Sequence, residues 1–225
     1  APPLSTQSSF EKLLFNFINV KNETIKIAIQ RKGRLSGPSR KFLSSLGLKF
    51  PANDRKLSLV SKNAPVNLLQ VRDDDIPKFV SEGAVDFGIV GLDILKETGR
   101  KVTIVKRLGF ARCKMVLASH PDSGVRKVAD LWGKKIATSY PKILKQFLRE
   151  NGIGAQVVLV KGSVELAPYL AAADVICDIT ETGSTLKAFR LKPFKTILRS
   201  EAVLIKNPSK KGKSYNLFNN SILIK

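Results

Sequence analysis

The sequence has few of the side chains that most often carry catalysis or bind metals. Among 225 residues it has one histidine, His120, and two cysteines, Cys113 and Cys177. A single histidine excludes His-rich metal centres, and its setting "ASHPDSG" favours a polar turn. The cysteines lie far apart without CxxC spacing, so they predict no disulfide framework and favour a reducing compartment. We therefore expect a cytoplasmic protein without a metal site of its own.

Long apolar runs and acidic residues are also scarce. No apolar run approaches the roughly 20 residues that span a bilayer, so we expect no membrane segment. Lys and Arg outnumber Asp and Glu by 39 to 18, giving a formal net charge of +21. This excess favours anionic partners, either nucleic acid or a polyphosphorylated small molecule. The densest basic run, "KNPSKKGK", contains no aromatic residue for base stacking, and no zinc-finger or RRM signature is present. Nucleic acid is therefore disfavoured.

Strand-like and helix-like segments alternate along most of the chain. Runs such as "TIKIAIQ", "VNLLQV" and "VDFGIVG" are typical of buried strands, and "YPKILKQFLRENG" is typical of a helix. Ser36 and Pro38 predict a helix start within the basic turn "RKGRLSGPS". The alternation predicts parallel α/β sheets. Residues 1–22 precede the first strand and form a predicted N-terminal extension: an additional helix, the remnant of a targeting segment or cloning-derived residues.

Two distant segments share one plan. Residues 82–95, "EGAVDFGIVGLDIL", and residues 171–186, "AAADVICDITETGSTL", each contain an Asp, a buried strand and a Gly-bearing loop with an acid. Both loops would follow the carboxyl end of a strand, where α/β folds bind ligands. The similarity predicts two related lobes, although a chance likeness between two ordinary α/β units stays open.

The second of these loops combines groups for anion binding with two acids. The turn "TETGST" places hydroxyls and backbone N–H groups at a helix N-terminus, an arrangement that binds phosphate. Gly183 would let the backbone approach a phosphate with no Cβ in the way. Carboxylates repel phosphate, so Asp178 and Glu181 are expected to face ribose hydroxyls or hydrated Mg²⁺. The alternative is a helix capped by an acid, with glycine serving only the turn.

The chain resembles the ATP phosphoribosyltransferase family, whose members catalyse the first step of histidine biosynthesis. "DITETGSTL" is similar to the family's loop for phosphoribosyl pyrophosphate (PRPP). Further family-like segments occur in family order: "IAIQRKGRL", "VRDDDIPKFVSEGAVDFGIVGLDIL", "LGFARCKMVLA", "KKIATSYP" and "KGSVELAPYLAAADVICDITETGSTL". They cover most of residues 25–205, whereas the extension and the basic tail fall outside the resemblance. The family usually has Pro where Arg31 stands, and many members have Gly in place of Ala171.

The resemblance implies both a fold and a reaction. The fold would be α/β, with two lobes of the type II periplasmic-binding-protein kind and a cleft between them. We place lobe I at residues 23–115 plus 195–225 and lobe II at residues 116–194. The reaction would be attack of N1 of ATP on C1 of PRPP, releasing pyrophosphate and giving N1-(5-phosphoribosyl)-ATP. Adenine N1 attacks through a lone pair and has no proton to lose, so the lack of an obvious general base is no obstacle.

The resemblance also implies roles for individual residues. Asp178 and Glu181 would contact the ribose, and Arg34 would neutralise charge on the leaving pyrophosphate, with Mg²⁺ bound to the substrate. The 5′-phosphate of PRPP would be held by Thr182, Gly183, Ser184 and Thr185. Predicted contacts to phosphates or nucleotide are Lys32, Gly33, Arg72, Asp93, Tyr140 and Glu165. Ordinary surface charge, core packing or, for Glu165, a capping-box acid are the alternatives for this last group.

Partners follow from the same resemblance. Long family members carry an extra C-terminal domain that binds histidine, whereas short members pair with a regulatory subunit related to histidyl-tRNA synthetase. The family-like pattern stops near Asn207, and 18 residues are too few to form a core of their own. We therefore expect either a truncated chain or a short form: a catalytic homodimer within a hetero-oligomer. The alternative function is a two-lobed small-anion-binding or effector-sensing protein without catalysis.

Overall fold

The computed structural model describes residues 24–52 and 56–212, together with residues 215, 216, 218 and 220. The predicted extension at residues 1–22 lies outside this part of the chain. Within it, no helix has the length and apolar character needed to cross a membrane. The strands are β1 Ile25–Gln30, β2 Ser58–Val60, β3 Val66–Val71, β4 Phe87–Gly91, β5 Thr103–Arg107, β6 Cys113–Ser119, β7 Lys135–Thr138, β8 Gln156–Leu159, β9 Val175–Thr180, β10 Lys192–Ser200 and β11 Ala202–Lys206. The α-helices are α1 Ser36–Ser45, α2 Ile76–Ser81, α3 Leu92–Thr98, α4 Pro141–Glu150, α5 Leu166–Tyr169 and α6 Ser184–Ala188.

The chain forms two units, each built around its own sheet. Among the described residues, the first unit contains those up to residue 95, residues 99–111 and those from residue 202 onward, and the second contains residues 96–98 and 112–201. The sheet of the first unit has the order β2-β3-β1-β4-β11-β5, and that of the second has the order β10-β6-β9-β7-β8. Only β3, β1 and β4 in the first sheet, and β9, β7 and β8 in the second, run parallel. The prediction of parallel sheets was therefore wrong, and both sheets are mixed.

The crossings between the units differ from the predicted lobe boundaries. They lie after residues 111 and 201, whereas the prediction placed them after residues 115 and 194. The reason is strand pairing, since β6 pairs with β10 along its length and each predicted boundary would cut one of these strands. The strands β10 and β11, which carry the chain back from the second unit to the first, were not predicted.

The internal similarity corresponds to equivalent positions in the two sheets. Strand β4 lies between parallel β1 and antiparallel β11, and β9 lies between parallel β7 and antiparallel β6. Asp86 accepts a hydrogen bond from Lys26 N at 2.7 Å and its own N–H donates to Lys26 O. Asp174 makes the same pair of bonds with Lys135, at 2.8 Å from the lysine N. Asp86 therefore aligns β4 with its parallel neighbour β1, and Asp174 aligns β9 with its parallel neighbour β7.

The C-terminal residues belong to the core of the first unit. Tyr215 and Phe218 are 3% and 2% exposed. The Tyr215 ring stacks on Phe87 with centroids 4.8 Å apart, and the Phe218 ring meets Phe87 edge-on at 5.0 Å. The Tyr215 hydroxyl donates to Asn207 O at 3.0 Å, and burial raises the pKa of this phenol to about 12. Tyr215 and Phe218 therefore extend the core of the first unit. The expectation that the residues after Asn207 are too few for a core of their own does not apply to them.

A stability prediction follows from the backbone at Ala171, which adopts φ 55° in the left-handed region. An L-residue there costs roughly 1–2 kcal/mol, and glycine avoids that cost but loses more entropy on folding. We expect Ala171→Gly to raise the melting temperature by roughly 2–4 °C, or about 1 kcal/mol. The neighbouring Ala172→Gly, where φ is not positive, should lower it. Equal effects of the two substitutions in calorimetry would contradict this interpretation.

Candidate active site

One cavity in the second unit gathers most of the predicted site residues. It measures about 340 Å³ and lies where β9 ends and α6 begins. The side chains come from the strand end, the connecting loop and the first turn of the helix, and Glu165 joins them from the start of α5. Of the predicted site residues, those lining it are Glu165, Asp178, Glu181, Thr182, Gly183, Ser184 and Thr185.

The loop of this cavity has a left-handed glycine directly before a helix and two hydroxyls that are hydrogen-bonded to each other. Gly183 is the N-cap of α6 and adopts φ +80°, a left-handed conformation that favours glycine. Thr182 Oγ1 donates to Ser184 Oγ at 3.1 Å and accepts from Ser184 N at 3.3 Å, which fixes the two hydroxyls together. The first-turn amides have no partner inside a helix and carry positive dipole charge. The loop therefore presents hydroxyl and amide donors to an anion.

Asp178 is a half-buried carboxylate of this cavity with a raised pKa. Burial raises its pKa to about 6, with a further increase from the nearby charge of Glu165. Its only opposing contribution is a hydrogen bond that Asp178 Oδ1 accepts from Ile179 N at 2.8 Å. The raised pKa shows that the protein offers few groups that stabilise the Asp178 charge. Asp178 is therefore a candidate for contact with a ligand.

Glu165 faces the same cavity as Asp178. It is the N-cap residue of α5, but its side chain makes no capping hydrogen bond. Its predicted roles, as a ligand contact or as a capping-box acid, stay predictions. Three carboxylates, Glu165, Asp178 and Glu181, share one small cavity with hydroxyl and amide donors, which suits a ligand carrying both a phosphate and free hydroxyls.

A second group of predicted residues lies in the first unit. Lys32 and Arg72 line a cavity of about 470 Å³ together with Arg31 and apolar side chains that include Phe79. Both basic side chains are exposed, and Arg72, at 84% exposure, lies 3.8 Å from an oxygen of Asp74. Gly33 adopts φ +117° between Lys32 and Arg34. The cavity combines three basic side chains with two acids, Asp73 and Asp75, and an apolar wall.

Arg34 is bound to Asp93 instead of pointing freely from the loop. Its Nη2 donates to both carboxylate oxygens of Asp93 at 2.9 Å, and its Nη1 lies 3.5 Å from Ala111 O. The Asp93 side chain is 1% exposed and the Arg34 side chain 19%. A Cβ at Gly91 would overlap Asp93 Oδ1, so the pair requires glycine at that position. Asp93 thus fixes the guanidinium, and its predicted role near the nucleotide stays a prediction.

Tyr140, Cys177 and His120 take no part in the two cavities described above. Tyr140 is buried at the N-cap of α4 and does not line either cavity. Burial raises the pKa of the Cys177 thiol to about 12, which leaves it protonated and inert. His120 lies in the expected polar turn, where its Nδ1 accepts from Asp122 N at 3.3 Å. Among the described residues, no group of three or more His, Cys, Asp and Glu side chains is placed to hold a metal ion.

Sequence reasoning missed two contributors to these sites. Thr180, at the end of β9, adds a further side chain to the cavity of the second unit. Gln30, at the end of β1, lines the cavity of the first unit. The signal for both was available, because each is a polar residue at the carboxyl end of a central strand.

The two units define a protein of the two-lobed α/β class typified by periplasmic binding proteins, which confirms the predicted fold class. The aliphatic sulphonate binding protein SsuA from Escherichia coli superposes with a TM-score of 0.58 at 13% identity, covering 91% of this chain and 70% of that one. At this identity the similarity concerns the fold alone.

Within that class, the chain belongs to the ATP phosphoribosyltransferase family. The family profile, HisG: ATP phosphoribosyltransferase, matches residues 72–223. The resemblance therefore extends through the basic tail, which was predicted to lie outside it. The ATP phosphoribosyltransferase of Maricaulis maris is 47% identical over 82% of this chain, and that of Stenotrophomonas maltophilia is 44% identical over 81%.

Coverage of these relatives is partial. The chain spans 65% of the Maricaulis maris enzyme and 63% of the Stenotrophomonas maltophilia enzyme. In contrast, it covers 94% of a chain from the ATP phosphoribosyl transferase (HisG:HisZ) complex of Thermotoga maritima, with 89% of its own length, a TM-score of 0.73 and 29% identity.

Proposed function

We propose that this chain transfers the 5-phosphoribosyl group of PRPP to N1 of ATP, releasing pyrophosphate. The observation that carries the proposal is the cavity of the second unit, where hydroxyl and amide donors for a phosphate share about 340 Å³ with Asp178, Glu181 and Glu165. A protein that only captured an anion would gain nothing from acids at this place, because they repel the ligand. This argues against the non-catalytic alternative.

The cavity of the second unit accounts for the phosphoribosyl half of the substrate. Thr182, Ser184 and Thr185 would donate to the 5′-phosphate, and Gly183 would give the backbone its close approach. Asp178 and Glu181 would accept from the ribose hydroxyls, with Glu165 on the same wall. When ionised, these acids stabilise the positive charge that develops on the ribose as the bond to pyrophosphate breaks.

The basic residues of the first unit are suited to neutralise the negative charge of the leaving pyrophosphate. Lys32 and Arg72 are exposed in a single cavity, and Arg34 is fixed by Asp93. We assign them to pyrophosphate or to the phosphates of ATP, and we expect Mg²⁺ to arrive bound to these substrates. The nucleophile needs no deprotonation, so catalysis rests on alignment and charge neutralisation.

The raised pKa of Asp178 predicts a pH dependence. The ionised form stabilises the ribosyl cation, and protonation below pH about 6 removes it. The value of kcat/KM for PRPP should therefore fall about tenfold per pH unit below that pH. In Asp178→Asn this acid limb should disappear. An unchanged acid limb in the variant, measured at saturating ATP, would assign the titration to another group.

A ligand panel tests the proposal directly. We expect Mg-PRPP to raise the melting temperature of the protein, with a smaller effect from ATP and none from free amino acids. Stabilisation by amino acids without a response to Mg-PRPP would favour a solute-binding protein. A steeply salt-dependent affinity for DNA without a PRPP response would favour a nucleic-acid-binding protein.

We further propose that the chain acts in the cytoplasm, as a homodimer within a hetero-oligomer that includes a regulatory subunit related to histidyl-tRNA synthetase. The similarity to nearly all of one chain of the Thermotoga maritima (HisG:HisZ) complex supports the hetero-oligomer, and the homodimer and the compartment follow from the resemblance in sequence. The expected result is weak activity of the chain alone, and light scattering that shows a larger complex when such a subunit is added. Tight inhibition of the isolated chain by histidine would contradict the proposal.

A further inference from the structure

Gln30 connects the two basic segments that line the cavity of the first unit. It is the last residue of β1, directly before the loop 31–34. Its Nε2 donates to Asp73 Oδ2 at 3.0 Å, and its Oε1 accepts from Leu35 N at 3.0 Å. Asp73 follows Arg72 in the turn after β3. One amide side chain therefore holds the end of the 31–34 loop and the Arg72 turn at the same time.

The backbone of the 31–34 loop passes close to the Gln30 side-chain amide at Gly33. A Cβ at Gly33 would lie 2.8 Å from Gln30 Nε2 and 3.0 Å from its Cδ, at a φ of +117°. Glycine is thus required there by two observations, the close approach to Gln30 and the positive φ. Arg31 N also donates to Val71 O at 2.8 Å, which joins the loop to the neighbouring strand. Gly33, which follows Lys32 in the loop, is therefore positioned against Gln30.

We propose that Gln30 is a positioning residue for the transfer reaction. Its two hydrogen bonds set the spacing of Lys32 and Arg72 across their cavity, so that both reach one pyrophosphate-bearing ligand. The inference rests on the proposed function, because it assigns that cavity to the pyrophosphate group. Gln30 itself acts through the basic residues and need not touch the ligand.

The test exchanges the donor and the acceptor of the Gln30–Asp73 hydrogen bond. Gln30→Glu keeps the acceptor for Leu35 N but puts a carboxylate against Asp73. Adding Asp73→Asn restores a donor to that pair, with its direction reversed, and also restores the net charge. Gln156→Glu adds the same charge on β8, at an exposed position, and serves as the matched control. The measurements are KM for Mg-PRPP, kcat, the affinity for Mg-pyrophosphate by calorimetry, and the melting temperature.

We expect Gln30→Glu to raise KM for Mg-PRPP and weaken Mg-pyrophosphate binding at least tenfold, with a smaller effect on kcat. The double variant should return to within about threefold of the wild type, equivalent to 0.7 kcal/mol or less, and Gln156→Glu should match the wild type. The inference is overturned if Gln30→Glu binds as the wild type does, or if the double variant recovers melting temperature but not affinity. Absence of phosphoribosyl-ATP with the wild-type protein would instead overturn the proposed function.

Discussion

Replacing Asp178 by asparagine is expected to lower turnover about a hundredfold while making the protein more stable above pH 6. Loss of a preorganised charge beside a developing charge typically costs two to three orders of magnitude in turnover. Because ribose hydroxyls can still donate to the asparagine oxygen, ATP binding should change less than turnover does. Glu181→Gln should have a smaller effect in the same direction, since Glu181 is more exposed.

The stability gain has a definite pH window. Burial raises the pKa of Asp178 from 3.8 to about 6, so the folded state binds more protons than the unfolded state between these values. Stability therefore falls as pH rises through this interval, and the full cost of the buried charge is present above pH 6. Asparagine removes that cost, which amounts to at most about 3 kcal/mol. Below pH 4 the two proteins should unfold at similar temperatures.

A matched control for Asp178→Asn is available on the adjoining segment. Asp174→Asn makes the same change at a residue that accepts from Lys135 N and aligns β7 with β9. It should affect stability more than turnover, the opposite of the pattern expected at Asp178. Steady-state kinetics showing wild-type turnover in the double variant Asp178→Asn/Glu181→Gln would refute the assignment of these acids to the ribose.

Gly183→Val is expected to weaken PRPP binding at least tenfold, about 1.4 kcal/mol. Two effects act together, because the position has φ +80° and because a side chain would stand where the phosphate approaches. No atom lies within 4 Å of a Cβ built there, so the fold itself has room for it. The cost to stability should be limited to backbone strain of about 1–2 kcal/mol.

Gly183→Asn separates the two effects at this position. Asparagine tolerates the left-handed region, so the loop should keep its conformation and the melting temperature should stay near that of the wild type. Its side chain still blocks the phosphate, and PRPP affinity should fall as in Gly183→Val. Calorimetric titration with Mg-PRPP checks both variants, with ATP binding as the reference. Unchanged PRPP affinity in Gly183→Val would exclude the phosphate role of the loop.

Local features of the fold were readable from the sequence because they depend on local patterns. Asp174, the strand β9 and the turn after it occupy consecutive residues. Most of the side chains that line the cavity around Asp178 could therefore be predicted from one short segment. Its last member, Thr180, sits within the quoted motif and was passed over. Glu165 had been assigned to it only by resemblance, and the structure adds that its side chain is not used for capping.

Long-range pairings were beyond the reach of sequence patterns. Arg34 and Asp93 are 59 residues apart, and the contact of Arg34 Nη2 with both Asp93 carboxylate oxygens depends on Gly91, where a Cβ would overlap Asp93 Oδ1. The strand β10 has lysines and arginine among its apolar residues and a mostly exposed surface, so no buried-strand pattern marks it. Its antiparallel pairing with β6, and that of β11 with β4, join strands that are distant in sequence. The antiparallel pairs β2–β3 and β6–β9 also contribute to the mixed character of the two sheets.

Transfer of a labelled phosphoribosyl group tests the central claim most directly. The reaction would contain ATP, Mg²⁺ and PRPP labelled in its 5′-phosphate, with the wild-type chain alone and with a histidyl-tRNA-synthetase-like subunit added. We predict that the label appears in N1-(5-phosphoribosyl)-ATP together with an equal amount of pyrophosphate, and that Asp178→Asn forms about a hundredfold less. Folded wild-type protein that transfers no label to ATP in either mixture would contradict the proposed function.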